Sequence, residues 1–359
     1  MPVSGCTMLA ALLPLLLNAV LGSRLCPSYC LCYESSGLVD CRSRGLDDVP
    51  NSVPHGIWLL DLSGNKLTEV HSRSFVGLWS LKILLMSNNS IQTLQPQCLS
   101  ALQFLERLDL SFNRLRRLPQ DFSQSLSSLQ ELQLDHNLLQ NLDSTSLGDF
   151  ENLKKLDLSY NRIRALDVRA FGGLSQLSLL NLEGNSLNVL KDGVLSRLQS
   201  LEVLLLSHNN ISLIETDALA PLRGLTLLGL QGNRLQHIRF KTFLKLQSTS
   251  TTTHLQMSFN RWTCDCELQR VFGKIRYVRY LHVDDYDDIV CHAPAQQAGS
   301  LLASLDSQLC IVETASVLAI TITVLLAVFG ALVKAEHNRK KNIQTASDTE
   351  SESAQRQEK

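Results

Sequence analysis

Eight of the chain's ten cysteines stand in two groups of four: Cys26, Cys30, Cys32 and Cys41 toward the amino terminus, Cys264, Cys266, Cys291 and Cys310 toward the other end. Thiols clustered this way either ligate a metal such as zinc or pair as disulfides. The start of the chain decides between the two. Residues 9–21, LAALLPLLLNAVL, form an apolar run too short to cross a bilayer and are followed by Gly22 and Ser23. That is the pattern of a secretory signal peptide cleaved near residue 23, although no Lys or Arg precedes it. A secreted chain matures in an oxidising compartment, so disulfides are expected and a metal site is not. Each group of four cysteines allows three connectivities. Cys6 leaves with the signal. Cys98 is left over and aligns with Ser74, Ser146, Ala170, Val194 and Ala218, a slot for small side chains, which points to a buried free thiol.

Other chemistry is sparse. The sequons NNS at Asn88 and NIS at Asn210 are acceptors for N-glycosylation. There is no glycine-rich phosphate loop, no HExxH and no nucleophile motif, and the nine histidines are scattered. Neither an enzyme nor a cofactor nor a small-molecule substrate is expected. With 33 basic against 34 acidic side chains and a net charge of −1, nucleic acid is not an expected partner.

These residues are positioned by a repeat. Asn65, Asn89, Asn113, Asn137, Asn161, Asn185, Asn209 and Asn233 follow one another at 24-residue intervals. Each lies in the frame LxxLxLxxNxL, as in LERLDLSFNRL and LKKLDLSYNRI. The alternation LxLxL is a short strand with one face inward, and stacking such strands in parallel buries each turn's leucines on the next. The asparagine falls where the chain leaves the strand. Buried without partners, its amide would cost about 1–3 kcal/mol, so its recurrence implies an internal hydrogen-bond ladder and a structural role. Phe75, Leu147, Phe171, Leu195 and Leu219, each 14 residues before the next asparagine, are expected to close the core from the convex side. A ninth unit ends at Asn260, 27 residues after Asn233, its extra residues lying in the polar stretch QSTSTTTH, a tolerated loop insertion.

The frame, with cysteine clusters spaced C-x3-C-x-C-x8-C before it and C-x-C-x24-C-x18-C after it, resembles the extracellular leucine-rich-repeat family over roughly residues 26–310. The resemblance implies an α/β-type solenoid, a horseshoe with a parallel concave sheet and two disulfide caps. It implies the pairs Cys26 with Cys32, Cys30 with Cys41, Cys264 with Cys291 and Cys266 with Cys310. The second cap departs from the family: Arg261 stands where proline is usual, and DDYDD at 284–288 is acidic and expected to be a solvated loop.

Residues between the inward leucines point out of the concave face. Repeats three to six make a predominantly acidic centre, with Asp109, Glu131, Asp135, Asp157 and Glu183 against Arg107 and Lys155, and with Phe112, His136 and Tyr160 at its margin. Beside it, Leu179, Val203, Leu205 and Leu227 form an apolar patch. An apolar patch next to charges is the composition of a protein-binding surface, and the partner expected is an extracellular or membrane protein.

Ala315–Val333 runs for 19 residues without a charge and is followed by Lys334, Arg339, Lys340 and Lys341. This predicts one transmembrane helix and, by the positive-inside rule, a type I cell-membrane protein with its amino terminus outside. The expected divisions are a signal peptide (1–23), an amino-terminal cap (24–56), about nine repeats (57–260), a carboxyl-terminal cap (261–310), the transmembrane helix (311–333) and a cytoplasmic tail (334–359). The tail is expected to be disordered, with acidic-directed phosphorylation sites at Ser347 and Thr349. Ala315, Ala319, Thr323, Ala327 and Ala331 recur every fourth residue, a small-residue face that admits a helix partner in the membrane. Two functions follow as expectations: adhesion or reception of an extracellular protein on the concave face, or service as an accessory subunit to another membrane protein, such as an ion channel, in cis.

Overall fold

The structure, a computed structural model, describes residues 26–142, 145–246, 252–305 and 308–357. The expected signal peptide, Cys6 and most of the polar insertion (247–251) lie outside the described residues. The chain divides into two compact units, residues 1–303 and 304–359.

The first unit is a solenoid in which each turn gives one short strand to a main sheet, with two-residue strands pairing outside it at Glu69–Val70 with Thr93–Leu94 and Val189–Leu190 with Leu213–Ile214. The strands of the main sheet are β1 (Leu31–Tyr33), β2 (Leu38–Asp40), β3 (Leu59–Asp61), β4 (Ile83–Leu85), β5 (Arg107–Asp109), β6 (Glu131–Gln133), β7 (Lys155–Asp157), β8 (Leu179–Asn181), β9 (Val203–Leu205), β10 (Leu227–Gly229), β11 (Thr253–Gln256) and β12 (Leu281–Val283). They form a single sheet in sequence order, antiparallel between β1 and β2 and parallel from β2 onward. From β3 to β10 the pairing has no slip: Leu60, Leu84, Leu108, Leu132, Leu156, Leu180, Leu204 and Leu228 stand in one row. All eight are buried, because a period of two turns the middle residue of each strand inward. The return paths are mostly turns, and buried Phe75, Leu147, Phe171, Leu195 and Leu219 close the core from that side.

The asparagine ladder is an internal backbone clamp. Asn113 Nδ2 donates to the carbonyls of Met86 (2.9 Å) and Leu110 (3.1 Å), while its Oδ1 accepts from Ile91 N at 2.9 Å. Asn137, Asn161, Asn185, Asn209, Asn233 and Asn260 repeat this pattern, each bridging its own turn to the one before. The sheet extends into both ends of the unit. At the first, Cys26–Cys32 and Cys30–Cys41 are disulfides and the Trp58 indole donates to the carbonyl of Ser36. At the other, Cys264–Cys291 is a disulfide and α1 (Phe240–Leu244) precedes α2 (Cys266–Tyr277). In α2, Leu268, Val271, Phe272 and Ile275 form the i, i+3, i+4, i+7 stripe that is buried, and Asp265 caps the helix by accepting from Leu268 N at 2.8 Å. Cys266 and Cys310 are each disulfide-bonded, and Cys98 is a buried free thiol whose pKa burial pushes up to about 12.

The acidic segment 284–288 is only partly solvated. Asp285 accepts from Met257 N and Ser258 N at 2.8 and 2.7 Å and from the Gln231 side chain at 3.1 Å, and Asp284 sits 2.7 Å from His254 Nδ1. In the last turn, backbone donors just past β11 have no further repeat to accept from them, and the Asp285 carboxylate serves instead. Asp287 and Asp288 are the exposed remainder.

The second unit is one helix, α3 (Gln308–Gln357), within which Val317–Lys341 is long and apolar enough to cross a membrane. The helix also runs through the expected disordered tail. No Gly or Pro follows Gly330, and the Ala-, Glu-, Lys- and Gln-rich sequence favours helix.

Candidate protein-binding surface

On the outer face of the sheet, one register row runs through Arg107, Glu131, Lys155, Leu179, Val203, Leu227, His254 and His282. Its one carboxylate is shared by two cations: Glu131 takes Lys155 Nζ at 2.7 Å and lies 3.8 Å from Arg107 Nε. The next row holds Asp109, Gln133, Asp157, Asn181 and Leu205. Asp109 accepts from Ser111 N and Oγ at 2.9 and 2.6 Å, and Asp157 does the same with Ser159 while also accepting from Asn181 Nδ2 at 3.0 Å. Hydroxyls and amides fix these carboxylates in place without cancelling their charge. The apolar residues Leu179, Val203, Leu205 and Leu227 are half-buried, each leaning on the same row of the neighbouring strand.

Immediately before each ladder asparagine comes a residue in the left-handed region. Gly64, Asn88, Phe112, His136, Tyr160, Gly184, His208, Gly232 and Phe259 all have φ between 51° and 70°. The reason is the turn off the strand: from Gly64 to Gly232 this residue's N–H reaches the next turn, as Phe112 N reaches Asp135 O at 3.0 Å and Tyr160 N reaches Glu183 O at 2.7 Å. The column therefore stacks side chains along one edge of the sheet. Phe112 lies on His136 with ring centroids 4.1 Å apart, and His136 on Tyr160 at 4.6 Å. Gly184 leaves room for the Tyr160 ring, since a Cβ there would come within 2.6 Å of it. Phe112 and Tyr160 remain 51% and 45% exposed, so the stack is a surface and not a core.

Acidic groups line the stack. His136 Nδ1 is 3.0 Å from Asp135 Oδ2, and the Tyr160 hydroxyl donates to Glu183 Oε1 at 3.0 Å. Burial holds the Asp135 carboxyl above its usual range and the charge of Asp157 adds to this, while the Glu183 bond raises the Tyr160 phenol. Among the described residues, no Lys or Arg pairs with Asp109, Asp135, Asp157 or Glu183. Asn88 precedes Phe112 in the same column and is exposed, as is Asn210. The sequence places the aromatic residues at the margin of the acidic centre but carries no sign of their stacking. The position before each asparagine is the signal that locates the column.

A parallel sheet with one strand per 24-residue turn, an asparagine ladder and disulfides at the ends of the repeats define a repeat scaffold that displays side chains on one broad face. Residues 58–115, 103–163, 127–187 and 175–235 match the leucine rich repeat family, and the chain belongs to it. Leucine-rich repeat-containing protein 3 of Danio rerio is 35% identical over 91 residues, 25% of this chain and 34% of that protein. The Bos taurus protein of the same name is 39% identical over 79 residues, 21% of this chain and 31% of its own length. The chain thus spans about a third of these relatives. Among solved structures, human 5T4 (Wnt-activated inhibitory factor 1, trophoblast glycoprotein) is similar with TM-score 0.60 and 26% identity, over 80% of this chain and 98% of that one. A chain of the octameric complex of Latrophilin 3, Unc5D and FLRT2 (LRR) is similar in fold, with TM-score 0.52 and 23% identity over 78% of this chain and 98% of that one.

Proposed function

We propose that this is a cell-surface binding protein in an adhesion or receptor role, holding an extracellular protein partner on the outer face of the sheet from β5 to β10. One observation carries the reading: Asp109, Asp135, Asp157 and Glu183 are held in place without a Lys or Arg partner among the described residues, beside an exposed stack of Phe112, His136 and Tyr160. A basic loop of the partner fits it, its cations meeting the carboxylates and its apolar stems covering the rings. Arg107, Glu131 and Lys155 act as a mutually paired divider, and Leu179, Val203, Leu205 and Leu227 as the apolar floor alongside. The chain is anchored by Val317–Lys341, with the solenoid outside and Lys334, Arg339, Lys340 and Lys341 inside, and it is N-glycosylated at Asn88 and Asn210. The apolar helix and the disulfides support this placement, as does the exposure of both asparagines.

A second reading, accessory subunit to another membrane protein in cis, rests on α3. It is unbroken, so Ala319, Thr323, Ala327 and Ala331 lie along one face, and the Thr323 hydroxyl is already satisfied by Ile320 O at 2.8 Å. Proximity labelling on intact cells separates the two. The full-length protein is compared with a version carrying a glycolipid anchor in place of residues 311–359. A partner that is extracellular and survives the swap supports binding through the sheet face; a multi-span membrane protein lost on the swap replaces that reading with the second.

A further inference from the structure

The flank of the solenoid where the chain leaves the sheet has a charge pattern opposite to that of the sheet face. After the ladder asparagines of repeats one to six the residues two and five positions on are buried, as Leu115 and Leu118 are after Asn113 and Ile163 and Leu166 after Asn161. The residues one, three and four positions on face outward. In the third repeat these are Arg114, Arg116 and Arg117, and in the fifth Arg162 and Arg164 stand with Ala165; all five arginines are exposed. Backbone bonds keep the turns in register here too: Arg114 N to Ile91 O, Leu138 N to Leu115 O and Arg162 N to Leu139 O are each 2.9 Å. Arg114 and Arg162 therefore share one column and Arg116 and Arg164 the next, two strand spacings or about 10 Å apart. None of the five guanidiniums is in an ion pair or a side-chain hydrogen bond among the described residues. From the second repeat to the eighth, these three outward positions hold no acidic residue and no Phe, Tyr or Trp.

We propose that this arginine ridge binds a sulfated polysaccharide. The guanidinium fork matches the oxygens of a sulfate in pairs, and a linear polymer with sulfates at regular intervals can engage both columns at once. A ridge without aromatic rings gives no platform for stacking bases, which argues against single-stranded nucleic acid. The disulfides place the solenoid in an oxidising, secretory setting, where sulfated polysaccharides are the abundant polyanions. The ridge is separate from the acidic face and independent of what that face holds.

The test uses the full-length protein in detergent with heparin as the probe. One variant carries Arg114→Ser, Arg116→Gln and Arg117→Thr, which installs the residues the second repeat has at these positions, Ser90, Gln92 and Thr93. A second carries Arg162→Ser and Arg164→Asn, after Ser186 and Asn188 of the sixth repeat. Wild type should bind heparin with an affinity that falls as salt rises, each variant should lose about tenfold, and the combination should lose binding altogether. Wild-type affinity in the combined variant, with its melting temperature unchanged, overturns the proposal. So does equal competition by desulfated heparin, by phosphatidylserine vesicles or by single-stranded RNA. Asp135→Asn with Asp157→Asn should leave heparin binding intact, which keeps failure here distinct from failure of the sheet-face reading.

Discussion

At the scale of residues, two kinds of polar group hold the stack together and fail differently. Asn137 is buried and bridges Leu110 O, Leu134 O and Leu115 N. Asn137→Ala leaves those groups without partners in a dry interior, and we expect a loss of about 2–4 kcal/mol, read by thermal or denaturant unfolding of the detergent-solubilised protein. Asp285 does comparable work at the end of the sheet as a carboxylate. Burial raises its pKa, but hydrogen bonds from Ser258, Met257 N and Gln231 outweigh this and hold it below the usual range. A depressed folded-state pKa gives stability that is fully present above the unfolded value of about 3.9 and lost as pH falls through the folded value. Asp285→Asn should therefore lower the melting temperature at pH 7 and flatten its decline below about pH 4; an unchanged acid limb would count against this role. The ladder asparagines are legible in the sequence because they recur. Asp285 is not, because it acts once, and DDYDD looks the same whether solvated or bonded.

At the scale of elements, strands were legible and return turns were not. The LxLxL alternation marks every strand from β3 to β10, since a period of two with one dry face is a direct instruction. The convex turns carry their information in single tight contacts. Gly173 is one: a Cβ there would stand 1.8 Å from the backbone oxygen of Gly148, and backbone cannot swing aside as a side chain does. Gly173→Ala should force the turns of two neighbouring repeats apart and cost several degrees of melting temperature, whereas Gly273→Ala in α2, with open space around it, should be neutral or better. The aromatic stack is likewise an element-level fact. Composition names Phe112, His136 and Tyr160, but only the shared left-handed turn brings their rings together.

At the scale of the molecule, the solenoid is a one-dimensional stack in which each turn touches only its neighbours, so its ends govern how it opens. Removing the disulfide between Cys264 and Cys291 with paired serine substitutions should fray the stack from that end. Hydrogen exchange should report early loss of protection in β12 and β11, then β10, while β3 to β7 keep theirs. Simultaneous loss across all strands would mean that the stack melts as one block. The division into a repeat body with cysteine caps and an apolar helix was readable from the cysteine spacing, the period and the uncharged run. The acidic centre of the sheet face was readable too, from the residues between the inward leucines; the arginine ridge on the flank was not, because a net charge of −1 gives no sign of it.

The left-handed column has a further consequence for how such a surface diversifies. Its backbone is pinned by hydrogen bonds that do not involve the side chain, and successive turns place glycine, asparagine, phenylalanine, histidine and tyrosine there on the same scaffold. Identity at these positions is thus constrained by the turn and by the neighbouring side chain more than by the core: Gly184 and Gly232 make room for the rings of Tyr160 and His208, and β-branched residues are excluded by the left-handed backbone. The edge of the sheet is a place where recognition can be rewritten one residue at a time while the architecture stays unchanged, and where a chosen set of substitutions would form a ready library.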